Sequence, residues 1–175
     1  MSEYKVFCIV VTYRPDAAHL QRVLASIARQ TPYIFLVDNT LGPHTAIATP
    51  EGVQCIALGE NLGIAAAQNI GIRQAIEQGA DVIWLSDQDT VYPAGFLADM
   101  LKALRICQAQ YIQLAALAPS YFDTHKGTVQ AFVRHAPFTQ FFVPQPGLHQ
   151  VSHAIASGTL IPAYALRTIG LMQEN

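Results

Sequence analysis

Two aspartates separated by one residue are the strongest candidates for chemistry in this sequence. Asp87 and Asp89 follow directly on the apolar run Val82–Leu85. In an extended segment residues i and i+2 point to the same side, so both carboxylates can face one site. Two like charges held together are costly unless a cation or hydrogen-bond donors offset them. The spacing favours either a Mg²⁺ or Mn²⁺ ion that also binds a diphosphate, or a turn in which Asp87 caps the next helix and Asp89 is solvated.

Polar residues also end two earlier apolar runs. The first run ends in Thr12, Tyr13 and Arg14, and the second ends in Asp38 and Asn39. In an open α/β sheet, ligands bind outside the carboxyl ends of the strands, near the point where the strand order reverses. We therefore expect these side chains to share one crevice with the two aspartates. An Asp-Asn pair is equally compatible with a simple turn.

A run of small residues, 61–69, offers a third polar group. Asn61 and Gly63 precede a helical segment, where N–H groups and the helix dipole favour an anion, and Gln68 and Asn69 add amide donors one turn later. The alternative is a tightly packed start of a helix whose alanines fit against the sheet. Neither glycine-rich phosphate fingerprint occurs in the chain. Their absence argues against a dinucleotide-dependent dehydrogenase and a P-loop nucleotidase.

The elements that must position these residues alternate between strands and helices. Apolar runs predict strands over Lys5–Thr12, Tyr33–Val37, Val53–Leu58 and Val82–Leu85. Helices are predicted from Pro15 and Asp16 through Ile27, over Ile64–Gln78, and after Pro93 through Leu104. This alternation is typical of an α/β fold.

The second part of the chain is less regular. From about Gln113 onward Phe, Pro, His and Thr replace the alternation, and short strands are predicted over Leu114–Ala118, Val129–His135 and Ala154–Ile161. The sequence contains no internal repeat and no Gly/Ser-rich linker that would divide it. We expect one compact unit with an irregular C-terminal portion.

Composition narrows the possible partners and locations. Of the 175 residues 51% are hydrophobic and 13% charged, and the formal net charge is -2 without a block of like charge, so nucleic acid is not an expected partner. No apolar stretch reaches the roughly 18 to 20 residues of a membrane span, and we expect a cytoplasmic protein. The three cysteines lie in apolar segments and are expected to act as small hydrophobes without disulfides.

Four short motifs together resemble the nucleotide-sugar half of a family 2 glycosyltransferase of the GT-A fold. They are Val10–Pro15 (VVTYRP), Val37–Asn39 (VDN), Asn61–Gly71 (NLGIAAAQNIG) and Asp87–Thr90 (DQDT). The last two are particularly similar to bacterial rhamnosyltransferases that build O-antigen and related surface polysaccharides. Ala156–Pro162 resembles the strand that lines the acceptor side in these enzymes. The resemblance implies a Rossmann-like α/β fold with a mixed, mostly parallel sheet flanked by helices.

The resemblance also implies a role for each motif. The donor-binding residues would be Thr12, Tyr13, Arg14, Asp38, Asn61, Gly63, Gln68 and Asp87, the metal ligands Asp89 and Asp87, and the acceptor-side residues Ser157 and Gly158. Asp38 would accept a hydrogen bond from the pyrimidine base, and Asp89 would be the principal ligand of a Mg²⁺ or Mn²⁺ ion. That ion would neutralise charge on the departing nucleoside diphosphate.

Inversion at the sugar carbon needs a general base near the acceptor hydroxyl. Family members commonly supply it as an acidic residue after a segment similar to Ile169–Glu174, and here the sequence stops at Asn175. Glu174 matches the acidic position upstream of that base, so the catalytic residue is unknown. We expect a fragment or natural truncation of a longer transferase, which leaves an apolar face uncovered and prone to self-association.

The resemblance favours transfer of a hexose, rhamnose above all, from a dTDP- or UDP-linked donor to a growing surface polysaccharide or lipid-linked glycan. The reaction would be metal-dependent and inverting, at the inner face of the membrane. Residues 1–112 would bind the nucleotide sugar, and residues 113–175 would form an incomplete acceptor-side part of the same domain. The alternative is a nucleotide-sugar binding module without turnover. A sugar nucleotidyltransferase is disfavoured, because no glycine-rich segment with a basic residue lies near the N-terminus.

Overall fold

The computed structural model describes residues 4–42, 48–123, 127–135 and 138–174. Strands in these ranges are β1 (Val6–Thr12), β2 (Tyr33–Asp38), β3 (Val53–Ala57), β4 (Val82–Asp87), β5 (Phe122–Asp123), β6 (Thr128–Val129), β7 (Phe132–His135), β8 (Thr139–Phe142) and β9 (Leu160–Pro162). Helices are α1 (Ala17–Ala28), α2 (Ile64–Glu77), α3 (Phe96–Ala109) and α4 (Ala163–Ile169). The four strands and three helices expected in the first part of the chain are all present.

A five-stranded sheet in the order β3-β2-β1-β4-β9 forms the centre of the fold. The first four strands are parallel, and β9 pairs antiparallel with β4. The expected mixed, mostly parallel sheet is therefore confirmed. Parallel strands need long crossover connections, and α1 and α2 supply them on opposite faces of the sheet.

Helices bury both faces of β1, which explains why its sequence is apolar throughout. Cys8 and Val10 pack in one cluster with side chains of α1 and α3. Phe7 and Ile9 point to the other face and pack in a second cluster with α2 and α4. Because successive strand residues alternate between faces, a strand covered on both sides must be apolar at every position.

Local sequence signals set the starts and packing of two helices. Asp16 caps α1, where its Oδ1 accepts a hydrogen bond from the His19 N–H at 2.7 Å. Gly71 lets α2 approach the sheet closely, because a Cβ there would lie 2.6 Å from Cγ2 of Ile9 and 3.1 Å from Cγ2 of Val37. These contacts hold the middle of α2 against β1 and β2.

The second part of the chain departs from the predicted strands. Residues 114–118 form only an isolated bridge between Leu117 and Leu160, and residues 129–135 are divided between β6 and β7. The strand expected from Ala154 begins only at Leu160, and the helix that follows it, α4, was not predicted. Short hairpins depend on partners chosen by turns and tertiary contacts, so residue preferences alone locate them poorly.

Contrary to expectation, one of the three cysteines is exposed. Cys8 and Cys107 lie in the core, whereas Cys55 is exposed on β3, the edge strand of the sheet. Burial raises the pKa of the Cys8 thiol well above its ordinary value. At Cys55 partial burial, and secondarily the charge of Asp38, also raise the pKa. The described cysteines form no disulfide.

Within the described ranges, none of the helices combines the length and the apolar character that crossing a lipid bilayer requires.

Candidate functional site

The strand order reverses between β1 and β4, and this is where the predicted site lies. The chain runs outward from β1 to β2 and β3, then returns through α2 to β4 on the other side of β1. Thr12 lies opposite Asp38 in the β1–β2 register, and Val11 lies opposite Asp87 in the β1–β4 register. The expected convergence of the strand ends is therefore observed, and it falls at the crevice where α/β sheets bind ligands.

Asp38 is a buried carboxylate held from two directions. Thr12 Oγ1 donates to Asp38 Oδ1 at 3.4 Å, and the Thr40 N–H donates to the same oxygen at 3.1 Å. Both Thr12 and Asp38 are almost fully buried. A carboxylate fixed in this way has a defined orientation, which a group that must recognise a base edge requires.

Tyr13 and Arg14 lie at the exposed rim of the crevice. The Tyr13 N–H donates to Gln88 Oε1 at 2.8 Å, which joins the loop after β1 to the loop after β4. Arg14 has a φ of 46°, its N–H donates to Thr40 Oγ1 at 2.9 Å, and its guanidinium carbon lies 5.3 Å from the centre of the Tyr13 ring. An exposed aromatic ring and a cation thus stand beside the buried Asp38.

The two aspartates of the predicted metal site interact with one another. Asp87 is half-buried and Asp89 is exposed on the loop after β4. Burial, and secondarily the negative charge of Asp89, raise the pKa of the Asp87 carboxyl above its ordinary value. Both causes disfavour an ionised Asp87, and a nearby positive charge would offset them.

The carboxylates of Asp87 and Asp89 are suited to a hard divalent cation that is also bound by the phosphates of a second ligand. Two carboxylates supply oxygen ligands, which Mg²⁺ and Mn²⁺ prefer. In the part of the chain that the structure describes, no group of three or more His, Cys, Asp or Glu side chains could hold a metal. Two carboxylates would fill only part of the coordination shell of such an ion, and phosphate oxygens and water would fill the remaining positions.

Asn61 organises the turn that leads into α2. Its Oδ1 accepts hydrogen bonds from Asn39 Nδ2 at 2.9 Å and from the Gly63 N–H at 3.0 Å, while the Leu62 N–H donates to Asn39 Oδ1 at 2.9 Å. Gly63 is the cap residue of α2 and has no side chain to accept from the first N–H groups of the helix, and the first helical turn carries no acidic residue. The exposed positive end of α2 can therefore accept an anion.

The two amide side chains one turn further along α2 differ in what they contact. Gln68 is buried, and its donor-binding role stays a prediction. Asn69 was expected to add an amide donor to the anion site, but its side chain instead holds the C-terminal segment. Its Nδ2 donates to the Met172 main-chain oxygen at 2.8 Å and to Glu174 Oε1 at 2.7 Å, and its Oδ1 accepts from the Met172 N–H at 2.9 Å.

Ser157 is buried beneath the loop that carries the aspartates. Its hydroxyl lies 2.8 Å from Thr90 Oγ1 and accepts from the Asp87 N–H at 3.3 Å. Tyr92, which sequence reasoning did not single out, bonds to Ser157 Oγ at 3.1 Å and to Ser86 Oγ at 3.0 Å. Ser157 thus supports the donor side, and the acceptor-side role given to it and Gly158 stays a prediction.

The hydroxyl of Tyr92 remains protonated at neutral pH. Burial raises its pKa to about 12, although hydrogen bonds to Ser157 and Ser86 oppose the increase. Its ring meets the Trp84 ring edge-on at 4.7 Å. The position of Tyr92, three residues beyond Asp89, could have suggested from sequence that it supports the aspartate loop. The spacing did not show which hydroxyl groups it would bond to.

Comparison with known proteins identifies relatives of the chain. The family model described as Glycosyl transferase family 2 matches residues 7–170. The dTDP-rhamnosyl transferase RfbF of Shigella flexneri is 27% identical over 184 residues, which cover 97% of this chain and 58% of that protein. The galactofuranosyltransferase GlfT1 of Mycobacterium tuberculosis is 32% identical over 136 residues, or 73% of this chain and 43% of the relative. The chain thus spans 58% or less of the length of these relatives.

Solved structures show the same fold. A crystal structure of residues 1–349 of S. aureus TarS matches with a TM-score of 0.60 at 15% identity, covering 94% of this chain and 49% of TarS. A structure of the same protein in complex with UDP-GlcNAc matches with a TM-score of 0.61. At this identity the likeness establishes the fold.

Proposed function

Because the chain belongs to glycosyl transferase family 2, we propose that it binds a nucleotide-diphosphate sugar at the carboxyl edge of the sheet. We further propose that it contributes to transfer of that sugar, with inversion, onto a growing surface polysaccharide or lipid-linked glycan. One observation carries the proposal: Thr12, Asp38 and Asp87 come from three strands and lie side by side at the switch point. Residues 1–112 would form the donor part, and residues 113–175 the acceptor-side part.

Asp38 and the rim residues would recognise the base. The buried Asp38 carboxylate is oriented by Thr12 and the Thr40 N–H, so it can accept the imide N–H of a pyrimidine without a rearrangement. Tyr13 and Arg14 are exposed next to it and can cover the base with a ring and a planar cation.

The diphosphate would lie between the two aspartates and the start of α2. Asp87 and Asp89 would hold a Mg²⁺ or Mn²⁺ ion, and the uncapped end of α2 beyond Asn61 and Gly63 would meet the phosphate oxygens with N–H groups. When bound, the cation supplies positive charge that offsets the charge developing on the leaving diphosphate. The helix end acts on the same charge, and it needs no reorganisation because it is already in place.

The donor that fits best is dTDP-rhamnose, with a UDP-sugar as the second choice. The similarity to a dTDP-rhamnosyl transferase over 97% of this chain supports the first. Uracil and thymine share the imide edge that Asp38 would bind, so the base contact admits both nucleotides. We further propose that the reaction takes place in the cytoplasm, at the inner face of the membrane.

A second function is supported by the distribution of carboxylates. From residue 124 to residue 173 the sequence contains no Asp or Glu. Glu174 is bonded to Asn69 and lies 3.5 Å from the Arg73 guanidinium. Among residues 127–135 and 138–174, which the structure describes, Glu174 is the only carboxylate side chain and is engaged in these contacts, which supports a nucleotide-sugar binding module without turnover as the second candidate.

Calorimetry with dTDP and UDP, in the presence and absence of Mn²⁺, tests donor binding, and a donor-hydrolysis assay tests turnover. Binding without hydrolysis would favour the module. We expect Asp89→Ala to remove the Mn²⁺-dependent part of binding. Asp99 is an exposed acidic residue on α3, so the control variant Asp99→Ala should leave that part unchanged. Equal Mn²⁺ dependence in both variants would contradict the metal assignment.

Asp38→Ala tests the base contact separately. Loss of a buried hydrogen bond to the base should weaken dTDP and UDP binding by about 1 to 3 kcal/mol, with or without Mn²⁺. Affinity within experimental error of the unaltered chain would argue against Asp38 as the base acceptor.

A further inference from the structure

The ring of His19 joins the first helix to the loop that carries Asp89. His19 Nε2 lies 3.0 Å from the main-chain oxygen of Asp89, and His19 Nδ1 lies 2.8 Å from a guanidinium nitrogen of Arg22. We propose that His19 is a positioning residue, which holds the main chain of Asp89 so that its carboxylate stays aimed at the metal-diphosphate site. The inference rests on the proposed function of that site.

The two contacts of the ring fix its tautomer. A guanidinium group has only N–H donors and keeps its proton, so His19 Nδ1 must accept the hydrogen bond from Arg22. In a neutral imidazole the other nitrogen then carries the proton, and Nε2 donates it to the Asp89 carbonyl. Arg22 thus selects the ring form that can hold Asp89.

The position of His19 is itself rigid. It lies in the first turn of α1, where its N–H is bonded to the cap residue Asp16. α1 packs against the sheet through Leu20, Val23 and other fully buried side chains. The ring therefore transmits the position of a packed helix to an exposed loop residue.

The loop has three anchors, and His19 is the one that acts on Asp89. Gln88 accepts from the Tyr13 N–H, and Thr90 is bonded to Ser157, so the residues on either side of Asp89 are each tied to another element. Without the third anchor the peptide of Asp89 can rotate between these two, and fewer loop conformations present its carboxylate beside Asp87. Removing the partner that orients a metal ligand typically costs about 10- to 100-fold in metal affinity.

The test compares two substitutions of His19 with a matched control. His19→Phe keeps the ring but removes the N–H, and His19→Gln removes the ring but keeps an amide N–H that can reach the same carbonyl. His149→Phe is the control, because His149 Nε2 makes the same kind of contact, 2.9 Å from the Gln145 main-chain oxygen, outside the site. Mn²⁺ affinity in the presence of dTDP is measured by electron paramagnetic resonance.

We expect His19→Phe to weaken Mn²⁺ binding by about 10- to 100-fold, His19→Gln to restore most of it, and His149→Phe to leave it unchanged. Affinity of dTDP without metal should stay constant in all variants. Unchanged Mn²⁺ affinity in His19→Phe, or an equal loss in His19→Gln, would overturn the positioning role while the metal site itself stands. Absence of Mn²⁺ binding in the unaltered chain would overturn the metal site and this inference together.

A second readout needs no metal. In ¹⁵N NMR spectra of the metal-free chain, recorded at a pH where imidazoles are uncharged, the signals that disappear in His19→Phe should be those of a ring with the proton on Nε2. A proton on Nδ1 would contradict the contact with Arg22 and overturn the proposal.

Discussion

Two regions of this molecule place their aromatic residues in opposite environments, one buried and one exposed. In the sheet, Phe7, Phe35 and Trp84 are at most 1% exposed. In the hairpin segment, residues 121–153 with β5 to β8, Phe138 and Phe141 are 77% and 75% exposed. Helices cover both faces of the parallel strands, whereas β5–β6 and β7–β8 each form a separate two-stranded sheet outside the five-stranded one. The candidate donor residues belong to the first region, where packing fixes main-chain positions within the small tolerance that binding requires.

Whether a segment is buried depends on its tertiary contacts and not on its position along the chain. β9 comes after the hairpin segment in sequence, yet Leu160 is fully buried and β9 pairs with β4 in the sheet. Ser157, just before β9, bonds to the loop of Asp87 and Asp89. The last part of the chain therefore stabilises the donor side of the sheet.

The largest effect expected from this contrast is on stability. Phe35→Ala removes a ring that is fully enclosed by the second core cluster and should lower the free energy of unfolding by about 3 to 5 kcal/mol. Phe141→Ala makes the same change on an exposed hairpin face and should cost less than about 0.5 kcal/mol. Urea unfolding followed by the fluorescence of Trp84, the only tryptophan, measures both. Similar losses in the two variants would refute the contrast.

Two glycine substitutions compare a closely packed main-chain position with an open one. Gly158 has a φ of 84°, and a Cβ there would lie 2.8 Å from Cγ of Pro119, so Gly158→Ala combines backbone strain with a clash. We expect a loss of about 2 to 4 kcal/mol in unfolding free energy. Gly127 in the hairpin segment has a φ of 66° and open space around it, so Gly127→Ala should cost only the strain, about 1 kcal/mol. Equal losses would show that packing around Gly158 yields without cost.

The buried Tyr92 hydroxyl predicts a loss of stability at alkaline pH. Its pKa is about 12 in the folded chain against an ordinary value of 10.0, so between these values the unfolded chain ionises first and unfolding becomes more favourable. The stability present below pH 10 should fall by about 2 to 3 kcal/mol as the pH approaches 12. Unfolding monitored by circular dichroism should show this fall in the unaltered chain and not in Tyr92→Phe. A parallel pH dependence in the two proteins would exclude Tyr92 as its source.

The smallest effect concerns association. We propose that the exposed aromatic rings of the hairpin segment promote self-association, because Phe138 and Phe141 lie three residues apart in the chain and both are more than 70% exposed, whereas a single exposed ring offers little apolar area. Sedimentation velocity should show a sedimentation coefficient that rises with protein concentration, and the double substitution of both phenylalanines by serine should reduce the rise. Tyr111→Ser, which alters an even more exposed aromatic residue at the end of α3, is the control. A concentration-independent monomer would contradict the proposal.

The first part of the fold was accessible from sequence because its signals are local. A run such as Val6–Thr12 identifies a doubly buried strand by composition alone, and Asp16 marks the start of α1 by its side-chain chemistry. Polar residues directly after such runs predict a site at the sheet edge, and the register places Thr12, Asp38 and Asp87 there. The family resemblance assigned roles to these residues, which the experiments above test.

The misses share a physical cause, since each depends on a partner distant in the chain. Asn69 has the composition of an anion-binding amide, but Met172, 103 residues later, takes its hydrogen bonds. Cys55 lies in an apolar run but is exposed on the edge strand β3, where burial depends on which distant segments pack over the sheet. The ring of His19 reaches Asp89 across 70 residues of sequence.

By itself, the sequence determined which segments become strands and helices in the first part of the chain and that carboxylates follow the buried strands. Those outcomes depend on side-chain shape and on spacing within one element. Only the tertiary structure decided that β9 enters the sheet antiparallel, that Ser157 and Tyr92 support the aspartate loop, and that His19 contacts Asp89. These outcomes depend on which surfaces meet after the chain folds, because a hydrogen bond forms only with the partner that packing brings within reach.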